Sequence, residues 1–246
     1  MNRFYNILYI GSALFIIGCY SNYNYNNIDY SRIDLIGPED SSINNIINVY
    51  RDSIDSKLDN TIGFSKGLYS KDDYTKTKFN SSLGNLIADI IFKQADSVFY
   101  KSFGKKIDFV LQNHGGIRSS LFKGEIKLTD AYKILPFENE IVVVEISKEI
   151  FDEMVLFLSN ETFPHPISGF RIKNDKAIIE KESSTNDKFF LATNDYLLSG
   201  GDNMFFLEKN LNVYQLGYSL RDAFIDYINS EKSLESKVDN RFIRNE

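Results

Sequence analysis

Three short segments carry residue types suited to holding a phosphate and a flat ring. The first is Asn113-His114-Gly115-Gly116-Ile117-Arg118. Glycines at 115 and 116 allow backbone N–H groups close to an anion, and the Arg118 guanidinium is a planar fork that matches phosphate oxygens. The second, Leu135-Pro136-Phe137-Glu138-Asn139-Glu140, puts an aromatic on a loop ahead of an apolar run. Phe137 in that place either stacks on a planar ring or fills the core beside a turn, and Asn139 has both a donor and an acceptor for a base edge. The third runs from Thr193 to Phe206 (TNDYLLSGGDNMFF), a strand end followed by a Gly-Gly turn and two phenylalanines. Phe205 or Phe206 offers a second stacking face there, and Asp202 reads as a residue that stabilises the turn.

Other chemistries lack their residues. Metal-assisted hydrolysis needs a cluster of His, Asp or Cys ligands, yet His114 and His165 are the two histidines of the chain and no HxxH, HExxH or DxH pair occurs. A Walker loop is absent as well. No catalytic residue, metal site or cofactor is therefore expected within this chain, and His165 reads as a loop or core residue. The 28 Lys and Arg against 34 Asp and Glu give a net charge of -6, without the basic stripe that a nucleic-acid polymer requires.

These segments must be positioned by a frame, and the apolar spacing supplies one. Ile43, Ile46, Ile47, Tyr50, Ile54 and Leu58 recur at helical intervals after Pro38-Glu39-Asp40, which predicts a helix docked by one apolar face. A second helix is expected over Ser81–Phe99, where Leu83, Leu86, Ile87, Ile90, Ile91, Ala95 and Val98 form a stripe under a serine cap. Ile107–Gln112 and Glu140–Ile146 read as buried strands, Thr129–Ile134 as a short helix capped by Thr129 or Asp130, and Lys148–Ser159 and Ser219–Asn229 as helices. Further strands are expected at Ile167–Lys173, Lys188–Thr193 and Val238–Ile243. The pattern predicts a single mixed α+β domain over residues 37–246, with a mixed sheet and flanking helices.

Ahead of it lies a different signal. Arg3, an apolar run from Leu8 to Ile17 and the small Gly18 precede Cys19, the one cysteine in the chain. The run is about half the roughly 20 residues a membrane-spanning helix needs, so residues 1–18 read as a secretion signal. Ile16-Ile17-Gly18-Cys19 resembles the bacterial lipobox, which implies acylation of Cys19 and a lipid anchor in the bacterial envelope, at the periplasmic or outer-membrane face. Residues 19–36, Asn- and Tyr-rich and without periodicity, read as the acylated cysteine and a polar tether.

In this order and spacing, the N-x-G-G-I-R, P-F-x-N and N-x-Y-L-x-x-G-G-D segments resemble the C-terminal, substrate-binding domain of the bacterial and animal 5'-nucleotidase family, over about Gly37 to Arg244. The resemblance implies that Asn113, Gly115, Gly116 and Arg118 lie at phosphate or ribose, that Phe137 and Asn139 lie at the base, and that an aromatic beyond Gly200-Gly201-Asp202, Phe205 or Phe206, forms the opposite wall. Lys78 stands where the family has an arginine, as a point charge in place of a fork. Asn203-Met204 replaces the family's Gly-aromatic pair, and Glu208 stands for the acid that binds ribose hydroxyls. The resemblance does not extend to the family's metallophosphoesterase domain. It implies a nucleotide or nucleoside as ligand, with two readings: the binding half of a split 5'-nucleotidase served by a separate dimetal metallophosphoesterase chain, or an envelope lipoprotein that binds without hydrolysis.

Overall fold

The computed structural model describes residue 37 and residues 40–179 and 188–245. The expected signal and tether, with Cys19 between them, and Pro38-Glu39 lie outside the described residues. Contacts divide the chain into Met1–Asn45 and Ile46–Glu246, and the described elements belong to the second unit except for the first turn of one helix.

That helix, α1 (Ser41–Leu58), starts where the Asp40 carboxylate accepts from the amides of Ser42 at 2.9 Å and Ile43 at 3.4 Å. The periodicity predicts the helix correctly and its docking wrongly. Ile43, Ile46, Ile47, Tyr50 and Ile54 are 41–68% exposed, because an apolar stripe specifies a helix but a buried face also needs a partner, which the described residues do not supply.

Strand β1 (Thr61–Ser65) leads to α2 (Ser82–Phe103). Ser81 Oγ accepts from Gly84 N at 3.1 Å at its start, and Gly104 ends it at φ 68°, a left-handed C-cap that glycine adopts without a Cβ clash. There follow β2 (Phe109–Leu111), β3 (Gly124–Lys127), α3 (Leu128–Ile134), β4 (Glu140–Ser147) and α4 (Lys148–Asn160). In α3 the expected caps are displaced: Lys127 is the cap residue, and Asp130 contributes by accepting its amide at 2.9 Å. The strand expected over Ile167–Lys173 is two strands, β5 (Ile167–Ser168) and β6 (Arg171–Lys173). Gly169 divides them at φ 87°, where a Cβ would lie 2.2 Å from the Asp108 carbonyl oxygen. The chain closes with β7 (Lys176–Ile178), β8 (Lys188–Asn194), α5 (Asp195–Leu198), β9 (Asn212–Ser219), α6 (Leu220–Glu231), β10 (Ser233–Leu234) and β11 (Phe242–Ile243). The last of these is shorter than the expected Val238–Ile243.

The main sheet has the order β5-β2-β8-β4-β9, with β2 and β8 parallel and the other pairs antiparallel. Two three-stranded ribbons, β10-β1-β3 and β11-β6-β7, flank it. Its strands alternate with period two, so each supplies both faces. Val110, Ile141, Val143 and Ala192 pack with α2 and α6, including Ile87, Ile91 and Phe224. Phe109, Leu111, Val144, Ile146 and Leu191 pack with Phe151, Met154 and Leu158 of α4 on the other side. The fold is a mixed sheet covered on both faces, the mixed α+β class with flanking helices that the sequence predicts. No helix among the described residues is long and apolar enough to cross a membrane.

Candidate functional site

The register of the main sheet decides where the three motifs go. Phe109 pairs with Leu191 and Val110 with Ala192 in the parallel β2–β8 pair, while Ile141 pairs with Asn194 in the antiparallel β4–β8 pair. The exit of β2, the exit of β8 and the entry of β4 therefore share one end of the sheet. Asn113, Asn194 and Asn139 are polar residues at those three ends.

Side-chain hydrogen bonds then fasten the segments together. Asn194, fully buried, accepts from Leu197 N at 2.9 Å through Oδ1, which caps α5. Its Nδ2 donates to Gln112 Oε1 at 2.7 Å and to Asn113 Oδ1 at 3.2 Å. Asp195 Oδ1 accepts from the Glu140 amide at 3.2 Å, and Leu220 N donates to the Asn139 carbonyl at 3.0 Å. One asparagine thus joins the first motif to the third, and its neighbour joins the third to the second.

In the first motif, His114–Gly116 form a 3-10 turn. The amides of Gly116, Ile117 and Arg118 donate to the carbonyls of Asn113 (3.2 Å), His114 (3.3 Å) and Ile134 (2.9 Å). These N–H groups are spent within the protein, which departs from the sequence expectation that the loop offers them to an anion. Gly116 is required sterically: a Cβ there would lie 2.8 Å from Asn113 Oδ1. Arg118 is exposed, with Nη1 donating to the Gly115 carbonyl at 3.2 Å.

Phe137 is 49% exposed, so it is a surface ring and not a core residue. Arg221, 5% exposed, supports the loop beneath it by donating to the Leu135 carbonyl at 3.1 Å, pairing with Glu138 and lying 4.2 Å from the Tyr132 ring centroid. Gln112, Asn113, Gly116, Phe137 and Asn139 surround a recess with Ile87, Ile117, Leu135 and Leu220. It holds about 10 Å³, close to the room one water molecule needs.

The third motif resolves the choice between the two phenylalanines in terms of burial. Phe206 is 3% exposed and packs 5.3 Å from the Phe157 ring, whereas Phe205 is 57% exposed and lies over Gly200. Gly200 sits at φ 82°, and a Cβ there would meet the Phe205 ring at 2.9 Å. Asp202 accepts from Tyr196 Oη at 2.8 Å, a turn-stabilising bond, and this raises the tyrosine pKa. Arg118, Lys78 and Phe205 do not line the recess. Lys78 is exposed and bridges to Ile243 of β11.

Among the described residues, no group of three or more His, Cys, Asp or Glu side chains could hold a metal ion. His165 is buried, accepts from His114 N at 3.4 Å, and is held down to about 4 chiefly by burial, opposed by the Asp202 charge. The His114 ring stacks on Phe163 at 5.1 Å with Nε2 3.2 Å from an Asp72 oxygen, and burial lowers its pKa too. Neither histidine has the partners of a metal ligand set.

Residues 61–209 match the 5'-nucleotidase, C-terminal domain family. The chain belongs to this family. Similar proteins include a cell wall protein of Listeria monocytogenes, 30% identical over 207 residues, which span 73% of this chain and 26% of that protein. A second is a "Probable 5'-nucleotidase" of Treponema pallidum, 30% identical over 172 residues, 58% of this chain and 29% of the relative. Among solved structures, a 5'-nucleotidase precursor from Thermus thermophilus superposes with a TM-score of 0.67 at 24% identity, over 85% of this chain and 44% of the other. The 5'-nucleotidase C-terminal domain of this chain thus spans about a quarter to a third of these curated relatives. The motif reading includes Asn194, which opens the N-x-Y-L-x-x-G-G-D segment, but gives it no role, and it misses Gln112 and Arg221. Asn194 carried a legible signal as an N-cap ahead of Asp195, whereas the other two matter only through neighbours distant in sequence.

Proposed function

We propose that this end of the sheet binds a nucleotide or nucleoside. Phe137 stacks on the base, Asn113 and Asn139 meet its edge or the ribose, and Arg118 engages phosphate from the rim. Phe205 forms the opposite wall, and Lys78 adds positive charge for the phosphate. Hydrolysis of the phosphomonoester, a step of nucleotide catabolism, then depends on a dimetal metallophosphoesterase unit outside the described residues, to which this chain contributes the substrate-binding part. The chain reaches the bacterial envelope by acylation of Cys19. The observation that carries the binding reading is the Asn194 and Asp195 bonding, which gathers three motifs distant in sequence beside an exposed aromatic.

The test compares nucleoside with nucleotide. Charge-assisted bonds to phosphate contribute about 1.5–3 kcal/mol each, so Arg118→Ala should weaken nucleotides by about 10- to 100-fold, nucleosides little, and less at high salt. Stacking contributes about 1–3 kcal/mol per base, so Phe137→Ala should weaken both alike, with a small effect on melting because the ring is half exposed. Equal losses for nucleoside and nucleotide in Arg118→Ala, or unchanged affinity in Phe137→Ala, would remove the reading.

A further inference from the structure

His165 stands between Pro164 and Pro166, and all three are buried. A residue ahead of proline is confined to extended backbone, and neither proline has an N–H to place. The segment is tied to the exit of β2: Leu111 pairs with Ile167, and Gln112 N donates to the Pro166 carbonyl at 2.9 Å. Continued past Leu111, the same antiparallel register brings His165 opposite Asn113, at the start of the first motif.

The motif needs a partner at that point. The leading N–H of a helical turn has no acceptor inside the turn. For the turn His114–Gly116 the cap residue is Asn113, whose side chain makes no capping bond; its Oδ1 accepts from Asn194 Nδ2 at 3.2 Å instead. His165 Nδ1 takes the vacant role by accepting from His114 N at 3.4 Å. A nitrogen that accepts carries no proton, so the neutral ring holds its proton on Nε2, the atom 3.9 Å from a Glu161 carboxylate oxygen. Burial keeps the ring neutral, with a pKa of about 4, against the opposing charge of Asp202. The same stretch of chain also holds the His114 side chain, since the Phe163 ring stacks on that imidazole at 5.1 Å.

We propose that His165 is a positioning residue for the first motif: its Nδ1 replaces the missing cap, fixes the His114 amide, and so sets the approach of Asn113 and Arg118 to the ligand. The inference rests on the nucleotide-binding reading above. The loop is then pinned at both ends, at His114 N by His165 and at Arg118 N by the Ile134 carbonyl at 2.9 Å. Removing the first pin frees the end that carries Asn113.

The full chain is titrated by calorimetry with the adenosine, guanosine, cytidine and uridine 5'-monophosphates, and the tightest of them serves as the probe. His165→Leu keeps a side chain branched at the same carbon and removes the acceptor. It should weaken the probe by about 5- to 30-fold, the equivalent of one hydrogen bond, and speed hydrogen exchange at the His114 amide. His165→Asn returns an acceptor, Oδ1, one bond beyond that carbon, where Nδ1 stood. It should restore amide protection and bring affinity to within about threefold of the unaltered chain. A histidine that only fills the core gives a different pattern: melting moves while affinity does not. Full affinity in folded His165→Leu, or folded His165→Asn binding as weakly as His165→Leu, overturns the proposal. A measurement on the unaltered chain is independent of how the variants fold: nitrogen NMR at pH 7 should show His165 Nδ1 unprotonated, and a protonated Nδ1 overturns the proposal too. Failure of the underlying reading looks different: none of the four nucleotides binds the unaltered chain although the ring and amide signatures are as expected, and that result overturns both.

Discussion

Replacing Asn194 with alanine removes the joint between the three motifs. The side chain caps α5 through Leu197 N at 2.9 Å and donates to Gln112 and Asn113 at 2.7 and 3.2 Å from a fully buried position. Loss of an N-cap costs about 1 kcal/mol, and each buried acceptor left unpaired costs about 1–3 kcal/mol, of which Gln112 Oε1 bears the larger share. The expected total is roughly 3–5 kcal/mol. At about 2–4 °C per kcal/mol for a domain of this size, melting should fall by about 6–20 °C. Circular dichroism during thermal and urea unfolding measures this, with nucleotide titration beside it, since the loops carrying Asn113 and Phe137 lose their common anchor. Asn194→Asp separates the contributions: it keeps the capping oxygen and turns the donor into an acceptor facing two other acceptors, so it should recover only the cap. A loss below about 1 kcal/mol for Asn194→Ala, with unchanged nucleotide affinity, would refute the claim that this residue assembles the site.

The acid side of stability should depend on His165. Its pKa falls from 6.5 to about 4 through burial, so the unfolded chain takes up the proton first; the stabilisation is complete above about pH 6.5 and is lost as pH falls toward 4, by about 3 kcal/mol. Urea midpoints at pH 7 and 4.5 should show that slope, and His165→Gln should flatten it; an unchanged slope sinks the assignment. Arg221→Met should free the loop of Phe137 by removing the bonds to Leu135 and Glu138, lowering stability by about 1–3 kcal/mol and weakening nucleosides and nucleotides together; intact melting and affinity would count against it. Cys19→Ser should move the chain from the detergent-soluble membrane fraction to a soluble or uncleaved form, and equal membrane partitioning of the two would remove the lipid anchor.

Much of the frame was legible because burial is written into sequence as periodicity. The stripes of α2, α4 and α6 and the apolar runs of β2, β4 and β8 predicted those elements to within a few residues. Five strands went unread, β1, β3, β7, β9 and β10, and of these β7 and β10 are only three and two residues long, too short to show a period. In β1 and β3 the segments are short and half exposed, so neither alternation nor a continuous apolar run marks them. In β9 the inward residues Tyr214, Leu216 and Tyr218 do alternate, and polar and glycine neighbours masked the signal.

The site divides along the same line. Residue type and spacing by themselves determined the family's motifs, hence Asn113, Arg118, Phe137 and Asn139 as candidates, because glycines, a fork and a loop aromatic are local signatures. Only the tertiary structure decided which residues are buried. It left the α1 stripe bare, took Phe206 into the core while keeping Phe205 at the surface, and spent the amides of Gly116 and Ile117 on the loop's own turn and that of Arg118 on Ile134. It also left Gln112 Nε2 without a partner among the described residues, since the direction of that amide follows from Asn194, 82 residues away, and no local pattern records a hydrogen bond made across a sheet.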